Sequence, residues 1–282
     1  MGENDLERRE QSPRDSLDFL EKLQKRESIL DDSRIAVVVA HPDDESIAFG
    51  AQLPRFPRCL MVHVTDGAPE SPKEWQKNGF DTQAEYAVAR ADELKNALDI
   101  AGHTGPRVSL GVTDQQVAFQ LIENIERLVT LFINNNIRFV LTHSYEGGHP
   151  DHDATAFAVH MAKAIMAKEK LPLEIIEAPI YRGEIEDITW QSFVPSKNNK
   201  TFSLPLSAEE RNLKEQLFEA HKSQQTTFPK VSLKEEQLRV APAYNFTQLP
   251  NEGILSRIFT KAKLTEDRWL ELTNEASQAF EV

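Results

Sequence analysis

Cysteine is nearly absent from this chain of 282 residues, in which Cys59 is the single occurrence. One thiol cannot form an internal disulfide or build a cysteine cluster for zinc. The chain also lacks the 18 or more consecutive apolar residues of a membrane span, and its N-terminus lacks the apolar stretch of a signal peptide. We therefore expect a cytoplasmic protein with no membrane span, in which any metal site uses His, Asp and Glu.

Basic residues are also in deficit, with 32 Lys and Arg against 45 Asp and Glu and a formal net charge of −13. A general nucleic-acid binder needs a basic face that displaces counterions from phosphates, so the charge argues against that class. The length predicts one large domain or two small ones. A homo-oligomer is compatible with this composition.

Strand-like and helix-like segments alternate along the first part of the chain. Three apolar runs are typical of strands buried on both faces: RIAVVVA (34–40), CLMVHVT (59–65) and RFVLTH (138–143). Apolar residues at helical spacing predict helices over residues 84–101, 117–132 and 154–165. The pattern predicts an α/β protein with a Rossmann-like, mainly parallel sheet and helices on both faces.

The remaining segments predict additions to this core. Residues 1–33 read as a charged N-terminal helical extension that either packs on the domain or frays. Residues 34–282 read as one domain with its core in 34–170. Residues 171–282 complete it with short strands, a helix capped by Ser207 and Glu210, and an irregular C-terminal extension.

Two turns at predicted strand ends carry unusual chemistry. The first, Ala-His-Pro-Asp-Asp-Glu (40–45), has no glycine for a dinucleotide phosphate, and its three carboxylates suit a cation. The second, residues 143–153, contains His-Pro-Asp-His. If the strands from Arg34 and Arg138 are neighbours, both turns meet where the strand order reverses. The side chains brought within reach are then His41, Asp43, Asp44, His149, Asp151 and His152.

Two His and one carboxylate, with a water in the open position, form the ligand set of catalytic zinc, and Fe(II) shares these ligands. His41 and Asp44, three residues apart, can converge on one ion if the segment turns helically. Asp43 is then free to take a proton from water. An Asp at a helix start is often only a cap and a His in a turn often structural, but the two turns together favour a site.

The chain resembles the LmbE-like, or PIG-L, family of zinc-dependent deacetylases, which remove acetyl groups from N-acetylglucosaminyl conjugates and related amides. The resemblance rests on AHPDDE (40–45), VTDG (64–67), RADEL (90–94) and EGGHPDHDA (146–154), and it covers roughly residues 34–170. It implies three zinc ligands, namely His41, Asp44 and His152. It also implies that Asp43 is the general base, that His149 stabilises the oxyanion or donates a proton, and that the Asp151 carboxylate orients His149.

The resemblance has one departure. Some family members place a Tyr two residues before the first His of HPDH as an extra oxyanion donor, whereas this chain has Gly147 there and Tyr145 two residues earlier. Tyr145 is a candidate replacement. Family similarity further suggests that Arg90 and Asp114 contact the substrate, although Arg90 could instead form a solvated ion pair with Glu93. No ligand role is expected for the other histidines, His63, His103, His143, His160 and His221.

The sequence therefore predicts a zinc-dependent hydrolase that removes an acetyl group from an N-acetylglucosamine-type amino sugar, a glycoconjugate or a related small amide. One alternative is an amidase acting on thiol-sugar conjugates or acylated metabolites. Another is a non-catalytic, metal-dependent sugar-binding protein. The presence of Asp43, which is not needed as a ligand, argues against the latter.

Overall fold

The computed structural model describes residues 15–29, 31–183, 188–196, 198–226, 228–256 and 258–282. Its strands are β1 (Ile35–Val39), β2 (Leu60–Pro69), β3 (Arg107–Asp114), β4 (Phe139–His143), β5 (Glu174–Ala178), β6 (Tyr181–Arg182), β7 (Thr189–Trp190), β8 (Thr201–Pro205) and β9 (Glu235–Val240). Its helices are α1 (15–24), α2 (Asp44–Phe49), α3 (Pro72–Lys77), α4 (Gln83–Ile100), α5 (Leu121–Asn134), α6 (Pro150–Lys168), α7 (Ala208–Ala220), α8 (Ile258–Lys261) and α9 (Glu266–Ala279).

Seven strands form the central sheet in the order β3-β2-β1-β4-β5-β9-β8. The first five are parallel, and β9 and β8 extend the sheet in antiparallel fashion. The remaining two strands, β6 and β7, pair as a separate hairpin. The predicted α/β class with a mainly parallel sheet is therefore confirmed.

The sheet separates two hydrophobic cores because successive side chains of a strand point to opposite faces. In β1, Ala36 and Val38 pack into one core with α5, α6 and α9. Their neighbours Ile35 and Val37 pack into the other core with α1, α4 and α7. Helices thus cover both faces, as the continuous apolar run of β1 predicts.

The N-terminal helix α1 packs on the sheet. Phe19 stacks on Phe139 with ring centroids 5.0 Å apart, and Leu20 and Leu23 are buried. Ser16 Oγ donates a hydrogen bond to Glu174 at 2.8 Å. The N-terminal extension was expected either to pack on the domain or to fray, and its described part packs on the domain. Residues 1–14 and residue 30 lie outside the described residues. The boundary between the N-terminal extension and the domain (33/34) and the boundary between the core and the C-terminal part (170/171) stay predictions.

The C-terminal extension is irregular over residues 241–249, but it ends in a helix, α9, that the sequence reading did not predict. Thr265 caps this helix by accepting a hydrogen bond from the Arg268 N–H. Trp269 is fully buried in the core shared with α5 and α6. The buried face of α9 consists of Trp269, Leu272, Thr273 and Ala276, which recur at helical spacing.

Within the described ranges, no helix combines the length and the apolar character that a membrane crossing requires.

Candidate metal centre

The two unusual turns lie side by side at the carboxyl end of the sheet. Strands β1 and β4 are parallel neighbours, and the order of strands reverses between them. The turn after β1 leads into α2, which begins at Asp44, and the turn after β4 leads into α6, for which His149 is the N-cap. The predicted meeting of the turns at the switch point is thus present in the fold. His152 and Asp151 both lie in the first turn of α6.

Three of the predicted site residues place donor atoms close together. His41 Nδ1 lies 3.1 Å from Asp44 Oδ2 and 3.2 Å from His152 Nε2. His152 Nε2 lies 3.3 Å from Asp44 Oδ1. Zinc binds such donors at about 2.0–2.2 Å in a tetrahedral arrangement, which separates neighbouring donors by about 3.3 Å. The residues present therefore fit the metal, and all three are buried.

Other donor sets lie within 4.8 Å in the same cluster. One combines His149 with His41 and His152, and another combines His143 with Asp44 and His152. The Nε2 atom of His143 already accepts a hydrogen bond from the Ala40 N–H at 2.9 Å. This acceptor role leaves that nitrogen without a free lone pair for a metal.

The outer nitrogen of His41 faces two carboxylates. His41 Nε2 lies 3.2 Å from Asp114 Oδ1 and 3.3 Å from Asp151 Oδ2. Burial opposes protonation of His41, but Asp114 and Asp44 outweigh it and raise the pKa of the imidazole well above its usual value. A carboxylate on the second nitrogen of a metal-binding His fixes the orientation of the ring. The structure therefore places Asp114, which was expected at the substrate, directly against His41.

The contact predicted between the Asp151 carboxylate and His149 takes another form. The carboxylate accepts hydrogen bonds from the backbone N–H groups of Gln115 at 2.6 Å and Val117 at 3.1 Å. The backbone N–H of Asp151, not its side chain, donates to His149 Nδ1 at 3.1 Å. Because Nδ1 is an acceptor, the proton of the neutral His149 ring is on Nε2. Burial and the neighbouring His41 lower the pKa of His149 to about 3.

Asp43 lies beside the donor cluster and contacts Arg90. Its Oδ1 is 3.4 Å from a guanidinium nitrogen of Arg90, which also donates to the carbonyl of Pro42 at 2.8 Å. Burial raises the pKa of Asp43 to about 6, although Arg90 opposes this. Arg90 is itself buried, and Glu93 binds Ser223 instead, so the solvated Arg90–Glu93 pair is not formed.

Glu45 is a functional candidate that the sequence reading missed. Its carboxylate accepts a hydrogen bond from the Asp43 N–H and lies 3.0 Å from His63 Nε2 and 3.3 Å from His221 Nε2. Burial raises the pKa of Glu45, but the two imidazoles outweigh it and hold the pKa below its usual range. Ser46 Oγ adds a hydrogen bond at 2.6 Å. Glu45 thus fixes the backbone at Asp43, and His221, which follows the last residue of α7, supplies one of its partners.

Tyr145 does not reach the cluster. Its hydroxyl accepts a hydrogen bond from Trp269 Nε1 at 3.0 Å and donates to the carbonyl of Gln248 at 3.2 Å. The side chain is buried among the aromatic rings of the C-terminal segment. The prediction that Tyr145 could replace the missing oxyanion donor is therefore wrong.

Comparison with known proteins extends this picture. Residues 36–163 match the family described as PIG-L, GlcNAc-PI de-N-acetylase. A Bacillus cereus relative named "Probable N-acetyl-alpha-D-glucosaminyl L-malate deacetylase 2" is 28% identical over 179 residues, which are 62% of this chain and 80% of the relative. Its Bacillus anthracis namesake is 27% identical over 142 residues, which are 49% of this chain and 62% of that relative.

Two solved structures share the fold. The A40926 pseudoaglycone deacetylase Dbv21 has a TM-score of 0.58 at 17% identity, covering 76% of this chain and 99% of that one. The N,N'-diacetylchitobiose deacetylase from Pyrococcus horikoshii has a TM-score of 0.56 at 15% identity, and the match covers 80% of this chain and 92% of that one. At these identities the likeness concerns the fold alone. Residues 36–163, which carry the similarity to the PIG-L (LmbE-like) family, contain both turns of the candidate metal centre.

Proposed function

We propose that this protein is a metal-dependent N-deacetylase that acts on an N-acetylglucosamine-type amino sugar or a small glycoconjugate. The observation that carries the proposal is the packing of His41 Nδ1 and His152 Nε2, 3.2 Å apart, against the Asp44 carboxylate, whose Oδ2 lies 3.1 Å from the first nitrogen and whose Oδ1 lies 3.3 Å from the second. The carboxylate of Asp43 lies buried next to them. The match of residues 36–163 to the PIG-L family and the names of the Bacillus relatives support the reaction class.

His41, Asp44 and His152 would hold the metal, with zinc the first candidate and Fe(II) the second. A bound zinc ion supplies a Lewis acid that makes water more acidic and polarises an amide carbonyl. Asp114 and Asp151 keep the His41 ring in its binding orientation through Nε2. Fixed donor groups limit the reorganisation that binding would otherwise cost.

Asp43 acts as the general base that takes a proton from the attacking water. Two contacts position it, because Glu45 binds its N–H and Arg90 binds the adjacent Pro42 carbonyl. Arg90 also prevents Asp43 from turning away, since its guanidinium lies 3.4 Å from the carboxylate. A base held near neutral pKa can accept a proton and then return it to the leaving amine.

His149 donates a hydrogen bond to the acyl oxygen as negative charge builds on it. Its Nδ1 accepts the Asp151 N–H, so its Nε2–H is available for this role. The rings of His149 and His41 have centroids 4.6 Å apart and meet edge to face, which places His149 beside the metal ligands. Donors aimed at developing charge are worth most in a buried, water-poor site.

Acetate release tests this proposal. The protein is loaded with Zn²⁺ or Fe²⁺ and given N-acetylated amino sugars, glycolipids and thiol-sugar conjugates, and Asp43→Asn is the matched control. We expect acetate from at least one amino-sugar substrate and none with the control. Substrate binding without acetate release by any metal form would instead identify a sugar-binding protein, and release of a free amine from thiol-sugar conjugates alone would identify the amidase alternative. The cytoplasmic location of the protein and its assembly into a homo-oligomer stay predictions.

A further inference from the structure

The loop before HPDH has no room for the tyrosine found in some family members. Gly147 has a φ of +76°, and a Cβ at this position would lie 2.6 Å from the carbonyl oxygen of Ile254. Ser256 N–H also donates to the Gly147 carbonyl at 3.0 Å, which ties the loop to the C-terminal segment. Any side chain at Gly147 would break this packing. With Tyr145 turned toward Trp269, a second oxyanion donor beside His149 would have to come from another segment.

Tyr181 approaches the same loop from the end of β5. Strand β5 pairs with β4 up to the His143–Ala178 register, so the chain leaves the sheet beside the metal-site turn. A Cβ on Gly148 would lie only 1.8 Å from the carbonyl oxygen of Tyr181. The glycine at 148 therefore allows the Tyr181 backbone to pack directly on the loop.

The Tyr181 ring is held between two other rings. Its centroid lies 5.4 Å from that of His152 and 5.0 Å from that of Trp190. Tyr181 pairs with Trp190 in the β6–β7 hairpin, and Gln191 N–H donates to the Ile180 carbonyl at 2.8 Å. The hairpin thus fixes the ring against a metal-binding His.

The hydroxyl of Tyr181 is in the electrostatic field of the metal site. Burial raises its pKa, Asp44, Asp114 and Asp43 raise it further, and His41 opposes them. A phenol has an ordinary pKa of about 10, so at neutral pH the Tyr181 hydroxyl keeps its proton and can donate a hydrogen bond. Among the residues that the structure describes, none forms a hydrogen bond with this hydroxyl.

We propose that Tyr181 is a catalytic residue that donates a hydrogen bond to the acyl oxygen, in the role that a tyrosine at position 147 would otherwise have. This inference rests on the proposed deacetylase function. Tyr181 and His149 then approach the oxygen from two segments, the β6 strand and the N-cap of α6. Both donors are neutral groups whose hydrogen bonds strengthen only as negative charge develops.

Tyr181→Phe tests the role because phenylalanine keeps the ring packing against His152 and Trp190 and removes only the hydroxyl. We expect kcat to fall about a hundredfold, the usual effect of losing one oxyanion donor, with KM changed by less than about twofold. Metal content should equal that of the wild type. Tyr145→Phe is the matched control, which should keep kcat and lower Tm, since it loses the bonds to Trp269 and Gln248.

A binding measurement tests Tyr181 without relying on turnover. The probe is an N-methylphosphonyl amino sugar, whose tetrahedral anionic phosphorus copies the charge of the transition state. Tyr181→Phe should weaken binding of this probe at least tenfold and leave the affinity for the neutral N-acetyl sugar unchanged. Wild-type kcat or unchanged probe affinity in Tyr181→Phe would overturn the proposal. A wild-type protein that releases no acetate would instead overturn the deacetylase function.

Discussion

The carboxylate of Glu45 accepts a hydrogen bond from the backbone N–H of Asp43 at 3.0 Å. The proposed base is therefore held by a side chain that points into the protein, where His63 and His221 bind the same carboxylate. This arrangement gives the third acidic residue of AHPDDE (40–45) a positioning contact with Asp43.

Glu45→Gln should lower kcat by about ten- to a hundredfold while metal content stays near the wild-type value. The amide keeps the size of the side chain but cannot serve both imidazoles and the Asp43 N–H as acceptor. Steady-state kinetics and metal analysis check this. Glu236→Gln is the control, since Glu236 is also buried but pairs with Lys214 and the Ala51 N–H beyond the C-terminal end of α2. A Glu45→Gln enzyme with normal kcat would show that this network does not position Asp43.

His152→Ala should sharply reduce the metal content after dialysis, because it removes one of three proposed protein ligands. The fold should survive, since His152 lies in the first turn of α6 and outside both hydrophobic cores. Metal analysis and circular dichroism measure the two effects. The control is His160→Ala, which changes a residue two turns further along the same helix and should retain the metal. Full metal content in His152→Ala would exclude His152 as a ligand.

His149→Ala should reduce kcat about a hundredfold or more and leave KM and metal content nearly unchanged, because it removes a donor to charge that appears only in the transition state. Kinetics and zinc stoichiometry check this prediction. Loss of zinc would instead favour the donor set of His41, His149 and His152, whose atoms also lie within 4.8 Å of one another.

The single thiol provides a pH-dependent prediction about stability. Burial raises the pKa of Cys59 from its usual value near 9 to about 12. The folded protein therefore keeps this proton where the unfolded chain loses it, so stability should fall as pH rises from 9 to 12. Urea unfolding of wild type and Cys59→Ala measures this, and the variant should show a shallower decline. An equal decline of stability with pH in wild type and variant would contradict a raised pKa for Cys59.

The sheet and the two turns could be predicted from sequence because their signals are local. The apolar run of β1 is buried on both faces, and each turn follows its strand directly. Neighbouring positions for β1 and β4 then bring His41 and His152 together. The closeness of the two turns follows from this adjacency, whereas the order of the seven strands was not predicted from the sequence.

Contacts between distant segments could not be predicted in this way. Tyr145 turns away from the site because its partner is Trp269, on a helix 124 residues later. Asp151 binds backbone N–H groups of Gln115 and Val117, and backbone donors carry no signature in the sequence. Tyr181 comes close to His152 only through the β6–β7 hairpin.

The most direct test of the account compares Asp43→Asn with Asp44→Asn by metal analysis and acetate release on the same preparations. Both variants should lose deacetylation, since one lacks the base and the other a ligand. Only Asp44→Asn should lose the metal, because Asp44 lies 3.1 Å from His41 Nδ1 and 3.3 Å from His152 Nε2, whereas Asp43 contacts Arg90. Metal retained by Asp44→Asn and lost by Asp43→Asn, or acetate released by metal-loaded Asp43→Asn at the wild-type rate, would contradict the account.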